Sequence, residues 1–248
     1  MTYRTYRYGG MFRKITEKTV SWMWPEVCPF CGRVSRQGIC TGCREKLKTL
    51  RIKEPRCMRC GKPVSYGEQE FCHDCMHMEH WYDRGYGLWL HKEPVSTSIY
   101  QFKYHNQRRY GVCYVEELLR CYGRSIETWA PDLMIPIPLH KKRRRKRGYN
   151  QAAVICRELG GRLGIPVDEK SLVRMLYTEP QKKLSHQERR KNLRHAFAVK
   201  TCFRPVRKVL LIDDIYTTGS TIDAAAAVLK EKGVEKVYFL TISIGQGY

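Results

Sequence analysis

Val209-Leu210-Leu211-Ile212-Asp213-Asp214-Ile215-Tyr216-Thr217-Thr218-Gly219-Ser220-Thr221 is the stretch on which the reading of this chain turns. Its first half is an unbroken β-branched and aliphatic run. It is too short for a helix and apolar on both faces, so it predicts a buried parallel strand. Two carboxylates, Asp213 and Asp214, follow where the strand should end. Hydroxyls then surround one glycine, and Ile222 to Lys230 is rich in alanine, a strong helix former. A strand, a polar turn and a helix make half of a βαβ unit. The turn therefore belongs at the carboxyl end of a sheet, where open α/β folds bind ligands. The amides of Thr218 to Thr221 would form an anion site at a helix N-terminus, and Gly219 would let the backbone approach a phosphate. Asp213 and Asp214 would repel that anion, so sugar hydroxyls or a metal-bound ligand suit them better. A sugar phosphate satisfies both halves. The plain alternative is a Thr-capped helix beside two solvated acids.

The chain has 248 residues and a formal charge of +22. That length accommodates an α/β core and a small second domain. The charge argues for a polyanionic partner: nucleic acid, anionic membrane or phosphorylated substrate. No apolar run is long enough to span a bilayer, and the Tyr- and Arg-rich N-terminus lacks the core of a signal peptide. A cytoplasmic location is expected.

Eight of the twelve cysteines form four CxxC pairs. Cys28 and Cys31 precede Cys40 and Cys43 by eight intervening residues; Cys57 and Cys60 precede Cys72 and Cys75 by eleven. This internal repeat predicts a double zinc ribbon, with two structural zinc ions each held by four thiolates. Gly32 and Gly61 suit the knuckle turns. Pairwise disulfides are the chemical alternative, and His73, His77 and His80 are substitute ligands. The ribbons are either purely structural or contacts for nucleic acid or protein. Cys113, Cys121, Cys156 and Cys202 read as buried fillers.

The expected organisation is a tail and short amphipathic helix over 1–24, the double ribbon over 25–80, and an α/β domain over 81–248. Helices are predicted over 44–53, 96–104, 111–128 and 152–163, and from Ser185, where a capping box opens a second basic segment running from Gln181 to Arg194. Strands are predicted over 81–92, 131–139, 172–176, 197–199 and 234–244. The run Lys141-Lys142-Arg143-Arg144-Arg145-Lys146-Arg147 follows the second of these. It reads as an exposed, mobile loop on the same rim as Asp213 to Thr221. It would clamp a diphosphate, contact nucleic acid, or simply be solvated.

The core stretch resembles the phosphoribosyl-diphosphate motif of the type I phosphoribosyltransferases. Taken with the two cysteine sets, Phe102-Lys103-Tyr104, Ile135 to Leu139, Arg147-Gly148-Tyr149-Asn150-Gln151 and Arg189 to Asn192, the chain resembles the ComF family from Cys28 to Ile244. That resemblance implies a type I phosphoribosyltransferase-like, mostly parallel sheet with helices on both faces, preceded by a double zinc ribbon. It implies that Asp213 and Asp214 hold ribose hydroxyls and that Thr217, Thr218, Gly219, Ser220 and Thr221 hold the 5-phosphate. Ile137, Pro138, Leu139 and His140 fall at the family's pyrophosphate loop, with Arg144 and Arg147 as a basic clamp. Tyr216 and the basic run depart from the wider phosphoribosyltransferase pattern.

Two functions follow. In one, the chain binds a phosphoribosyl ligand and single-stranded DNA, and supports DNA uptake in natural transformation beside a partner protein of the uptake machinery. In the other, it is an active phosphoribosyltransferase of nucleotide metabolism. There a nucleophile displaces diphosphate from phosphoribosyl diphosphate, with magnesium carried on the ligand.

Overall fold

The computed structural model describes residues 26–65, 67–175 and 196–245. The expected N-terminal helix and the capping-box helix with its basic segment lie outside them.

The apolar run forms a strand as expected, Lys208–Tyr216 (β5). It pairs in parallel with Lys236–Ile244 (β6) and with Leu133–Pro136 (β2). Arg84–Leu90 (β1) pairs in parallel with β6, so the sheet order is β1-β6-β5-β2. A single parallel bridge from Met134 to Val167 extends the β2 side. Leu172–Arg174 (β3) and Phe197–Val199 (β4) make a separate antiparallel pair.

Alternation along the strands builds two cores. Leu210, Ile212, Leu240 and Ile242 face Tyr110–Trp129 (α4) and Gln151–Leu163 (α6). Val209, Leu211, Val237 and Phe239 face Ser220–Lys230 (α7). The sheet is thus covered on both faces, as a parallel sheet must be. Val95–Tyr104 (α3) contributes Val95, Ile99 and Phe102 to the first core.

The ribbons complete these cores. Thr41–Leu50 (α1) and His73–His77 (α2) are their helices. Each cysteine tetrad gathers its sulfurs within 4.8 Å of one another. Cys31–Cys40 and Cys60–Cys72 are 3.6 Å apart. Thiolates on a tetrahedral zinc at about 2.3 Å would sit ~3.8 Å apart. The two tetrads therefore fit two structural zinc ions. Gly32 and Gly61 close the knuckles with φ of 73° and 72°.

The first ribbon inserts Phe30 edge-on between Trp89 and Tyr114 in the α4 core. Its Arg44 and Arg51 reach the buried Glu117 of α4 at 3.1 and 2.5 Å, and Arg120 joins them. The second ribbon places Cys57, Cys60, Cys72 and Cys75 in the α7 core. Along the edge of β1, the Arg59 carbonyl accepts from the Gly85 amide at 2.8 Å, and the Leu88 carbonyl from the Ile52 amide at 3.2 Å. A Cβ on Gly85 would lie 2.2 Å from the Phe239 ring, so only glycine fits where β1 meets β6.

Two expectations are corrected. The basic run is not a loop but a helix, Lys141–Arg147 (α5). Lys and Arg are good helix formers, no residue of α5 is buried, and Gly148 closes it at φ 76°. Of the four single cysteines only Cys156 is buried; Cys113 and Cys121 are half-buried and Cys202 is exposed.

Because the ribbons share both cores with the sheet, stripping zinc should unfold the whole chain in one transition. Metal analysis should give two zinc ions per chain. Circular dichroism of chelated protein should show sheet and ribbon lost together; a sheet that melts at an unchanged temperature would contradict this. Glu117→Gln should cost about 1–3 kcal/mol in denaturant unfolding, because one neutral amide oxygen replaces the charged acceptor that Arg44, Arg51 and Arg120 share.

Candidate functional site

All four strands of the main sheet run the same way, so their carboxyl ends form one rim. Asp213 and Asp214 lie near it, inside β5 and not after it as the sequence suggests, because the strand and its pairing with β6 run on to Tyr216. Neighbouring strand residues point apart, and the two acids meet different surroundings. Asp214 is buried and pairs with Lys103 of α3 at 2.9 Å. Asp213 keeps some solvent access and turns its Oδ1 to the Asp214 amide at 2.8 Å. Burial, and then the Asp214 charge, push the Asp213 carboxyl up to about 7, against the pull of Lys103 and of Arg174 on β3. The rim thus holds one carboxylate neutralised by lysine and one carboxyl that ionises near neutral pH.

The following turn is built tightly. Gly219 caps α7 at φ 78°, and a Cβ there would lie 2.5 Å from the Tyr216 hydroxyl. Thr218 Oγ1 and Ser220 Oγ are 2.8 Å apart, and both residues are buried. Thr217 is exposed and Thr221 half-buried. In the first turn of α7 the Ser220 amide points to Thr218 Oγ1 at 3.5 Å and the Asp223 amide donates to the Gly219 carbonyl at 2.8 Å, and helix geometry leaves the Thr221 and Ile222 amides for an anion.

Tyr216 is a support from below. Its hydroxyl is 2.7 Å from that of Tyr82, and its ring stacks on Phe239 at 5.0 Å. The Lys62 ammonium of the second ribbon stands 5.8 Å over the same ring and pairs with Asp74 at 2.6 Å. Beside them the His80 imidazole lies 3.3 Å from the Asp223 carboxylate of α7, and the Trp81 amide donates to that carboxylate at 2.7 Å. The second ribbon thus braces the turn through the Lys62 and His80 side chains, and Trp81 and Tyr82 just after it add an amide and a hydroxyl.

The remaining predicted residues border the same rim. Ile137 is buried, and its amide extends β2 by donating to Ile212. Pro138, Leu139 and His140 are half-buried, and His140 caps α5 by accepting from the Lys142 amide at 3.3 Å. Arg144 is exposed. Arg147 turns toward α3: it donates to the Tyr104 hydroxyl at 2.9 Å and to Gln151 at 3.1 Å, and covers the Tyr104 ring at 4.7 Å. The Tyr149 hydroxyl donates to the Phe102 carbonyl, and Asn150 donates to the Ile137 carbonyl at 3.0 Å. The two sequence landmarks around Phe102 and Tyr149 are therefore one hydrogen-bonded corner.

Lys103 had no role in the sequence reading, and neither did His91 or Arg174. The His91 Nδ1 lies 2.9 Å from the Ser243 hydroxyl, and burial with the Lys103 charge holds its imidazole below the ordinary range. The signal for Lys103 was its place between two aromatics on a helix.

Among the described residues, the donor sets close enough to share a metal are the two cysteine tetrads. No described helix is long and apolar enough to cross a membrane.

Residues 19–76 match the double zinc ribbon domain model. The chain is 34% identical to competence protein F of Haemophilus influenzae, over 82% of this chain and 89% of that one. It is 29% identical to competence protein ComFC of Bacillus subtilis, over 79% of each. It is 27% identical to the DNA utilization protein YhgH of Escherichia coli K12, over 86% of this chain and 94% of that one. The crystal structure of orotate phosphoribosyltransferase from Aeropyrum pernix aligns with a TM-score of 0.34 and 16% identity, over 55% of this chain and 61% of that one.

A carboxyl whose folded value is raised binds its proton more tightly folded than unfolded. Its contribution is therefore present at low pH and lost as pH climbs from the ordinary carboxylate range through about 7. Asp213→Asn should stabilise the protein at pH 8 by about 1–2 kcal/mol, and the gain should vanish below about pH 4. Denaturant unfolding at the two pH values reads it; an equal effect at both would contradict the assignment.

Proposed function

This chain belongs to the ComF family, and on that premise we propose that it binds a phosphoribosyl ligand and single-stranded DNA during DNA uptake. The relatives' names, competence protein and DNA utilization protein, support the biological setting. A cytoplasmic location, beside a partner protein of the uptake machinery, fits that setting.

One observation carries the molecular reading. A single rim holds Asp213 and Asp214, the amide-rich turn of Thr217 to Thr221 and the basic helix α5. In this reading the Asp213 carboxyl accepts from ribose hydroxyls, and Asp214, held by Lys103, fixes the geometry beside it. The 5-phosphate rests on the first-turn amides of α7 and the Thr217, Ser220 and Thr221 hydroxyls. Exposed Arg144 and its neighbours on α5 attract the phosphates of the strand, with His140 fixing the start of that helix. The excess of positive charge, +22, is more than one small substrate requires.

A second reading is catalytic. A carboxyl raised to about 7 by burial and a neighbouring acid is a common feature of acid–base sites. It would make the chain a phosphoribosyltransferase, with magnesium arriving on the diphosphate of phosphoribosyl diphosphate rather than on a protein cage. Diphosphate release from that ligand in the presence of magnesium and candidate bases tests this reading, and no release with any base retires it.

Isothermal titration tests the first reading. Ribose 5-phosphate and phosphoribosyl diphosphate should bind the wild type and lose affinity in Thr217→Glu, which sets a carboxylate on the exposed side of the turn. Oligonucleotide affinity should fall with salt at a slope of about −0.7 per phosphate neutralised, and the slope should flatten in Lys141→Glu with Arg144→Glu and Arg145→Glu. An oligonucleotide affinity indifferent to salt would remove the DNA half of the proposal.

A further inference from the structure

Next to the Lys103–Asp214 pair lies an open cavity of about 460 Å³, whose lining includes His91, Lys103, Tyr100, Tyr104 and Ile215. Tyr100 and Tyr104 stand one helical turn apart on α3, with ring centroids separated by 4.9 Å. They are 55% and 47% exposed, whereas Val95, Ile99 and Phe102 on the same helix are fully buried. The fold therefore uses the other side of α3 for its core, and this aromatic pair stays about half exposed.

The pair is nonetheless held in place. Arg147 covers the Tyr104 ring and bonds its hydroxyl, and His105 approaches Tyr100 with centroids 5.7 Å apart. Such a surface offers π-faces and fixed cations, beside the polar groups of Glu93, Ser96 and Thr97 on the same cavity wall. It suits a flat, electron-rich ring of any identity attached to a phosphate. The acids and amides of the rim can hold a sugar and its phosphate, but they offer nothing flat for a base. Lys103 joins the two parts, since its ammonium holds Asp214 and its chain neighbour is Tyr104.

We infer that Tyr100 and Tyr104 form a stacking shelf for the nucleobase of a nucleotide, free or at the end of a single strand, whose pentose phosphate, with or without the 2′-hydroxyl, sits on the Asp213–Thr221 rim. The inference rests on the phosphoribosyl reading above and adds the base-binding half of the site. Stacking makes the site tolerant of base identity.

Full-length, zinc-loaded protein should be titrated with ribose 5-phosphate, thymidine 5′-monophosphate and a 5′-phosphorylated oligothymidylate. Three forms are compared: wild type, Tyr100→Ala with Tyr104→Ala, and Tyr100→Phe with Tyr104→Phe. Zinc content and circular dichroism confirm that each is folded. The alanine pair should weaken the monophosphate and the oligonucleotide about 10- to 100-fold, leaving ribose 5-phosphate within about 2-fold. The phenylalanine pair should bind like wild type. Loss with either nucleotide probe supports the shelf, and the tighter of the two identifies its source as free nucleotide or strand end. The shelf is overturned if the alanine pair binds both nucleotides normally, if it loses ribose 5-phosphate in step with them, or if wild type binds neither. If wild type binds the nucleotides but not ribose 5-phosphate, and the alanine pair loses them, the shelf stands and the phosphoribosyl reading falls.

Discussion

A parallel sheet that is apolar on both faces must be covered on both sides, and its edge strands must be managed. In this chain that constraint falls on β1. Two glycines, Gly85 and Gly87, let it press against β6, and its outer edge is taken by backbone bonds from the ribbons. The ribbons are too short to hold such a position by apolar burial alone. Zinc thiolate sets supply the rigidity, one for each core. The metal-binding sets of the first third of the chain are in this way built into the cores of the sheet that ends it.

The same coupling reaches the rim. Tyr216 sits in the middle of the Asp213–Thr221 stretch, where a small residue would leave more room. It fills the space under Gly219 and ties to Tyr82, Phe239 and Lys62. The turn cannot shift without disturbing the second ribbon. On the opposite side Lys103 holds Asp214, and the Tyr149 corner holds the end of α3 that carries Lys103. A site gripped from both sides needs little rearrangement to receive a ligand, which is what preorganised binding requires.

Much of this was legible in the chain itself. The run from Val209 to Ile212 announced a buried strand, and the CxxC spacings announced two metal sites. Apolar periodicity placed α4 and α6 within a residue of their observed limits. What stayed hidden had one of two causes. The basic run reads as a loop because dense charge suggests solvent, yet solvent exposure and helix are compatible when every residue favours the helix. The other cause is distance along the chain. Lys103 and Asp214, or Tyr82 and Tyr216, stand more than a hundred residues apart, and no local pattern pairs them. Cysteine spacing likewise predicts the metal but not the surface the ribbon covers.

The central claim is that the turn after β5 receives a phosphorylated sugar. Backbone amide spectra of zinc-loaded protein, recorded while ribose 5-phosphate is added, test it most directly. Shifts should concentrate at Asp213, Asp214 and Thr217 to Thr221, with smaller ones at Lys103, while the first ribbon stays still. Unmoved amides in that turn at saturating ligand, or shifts gathered on the ribbons instead, would contradict it.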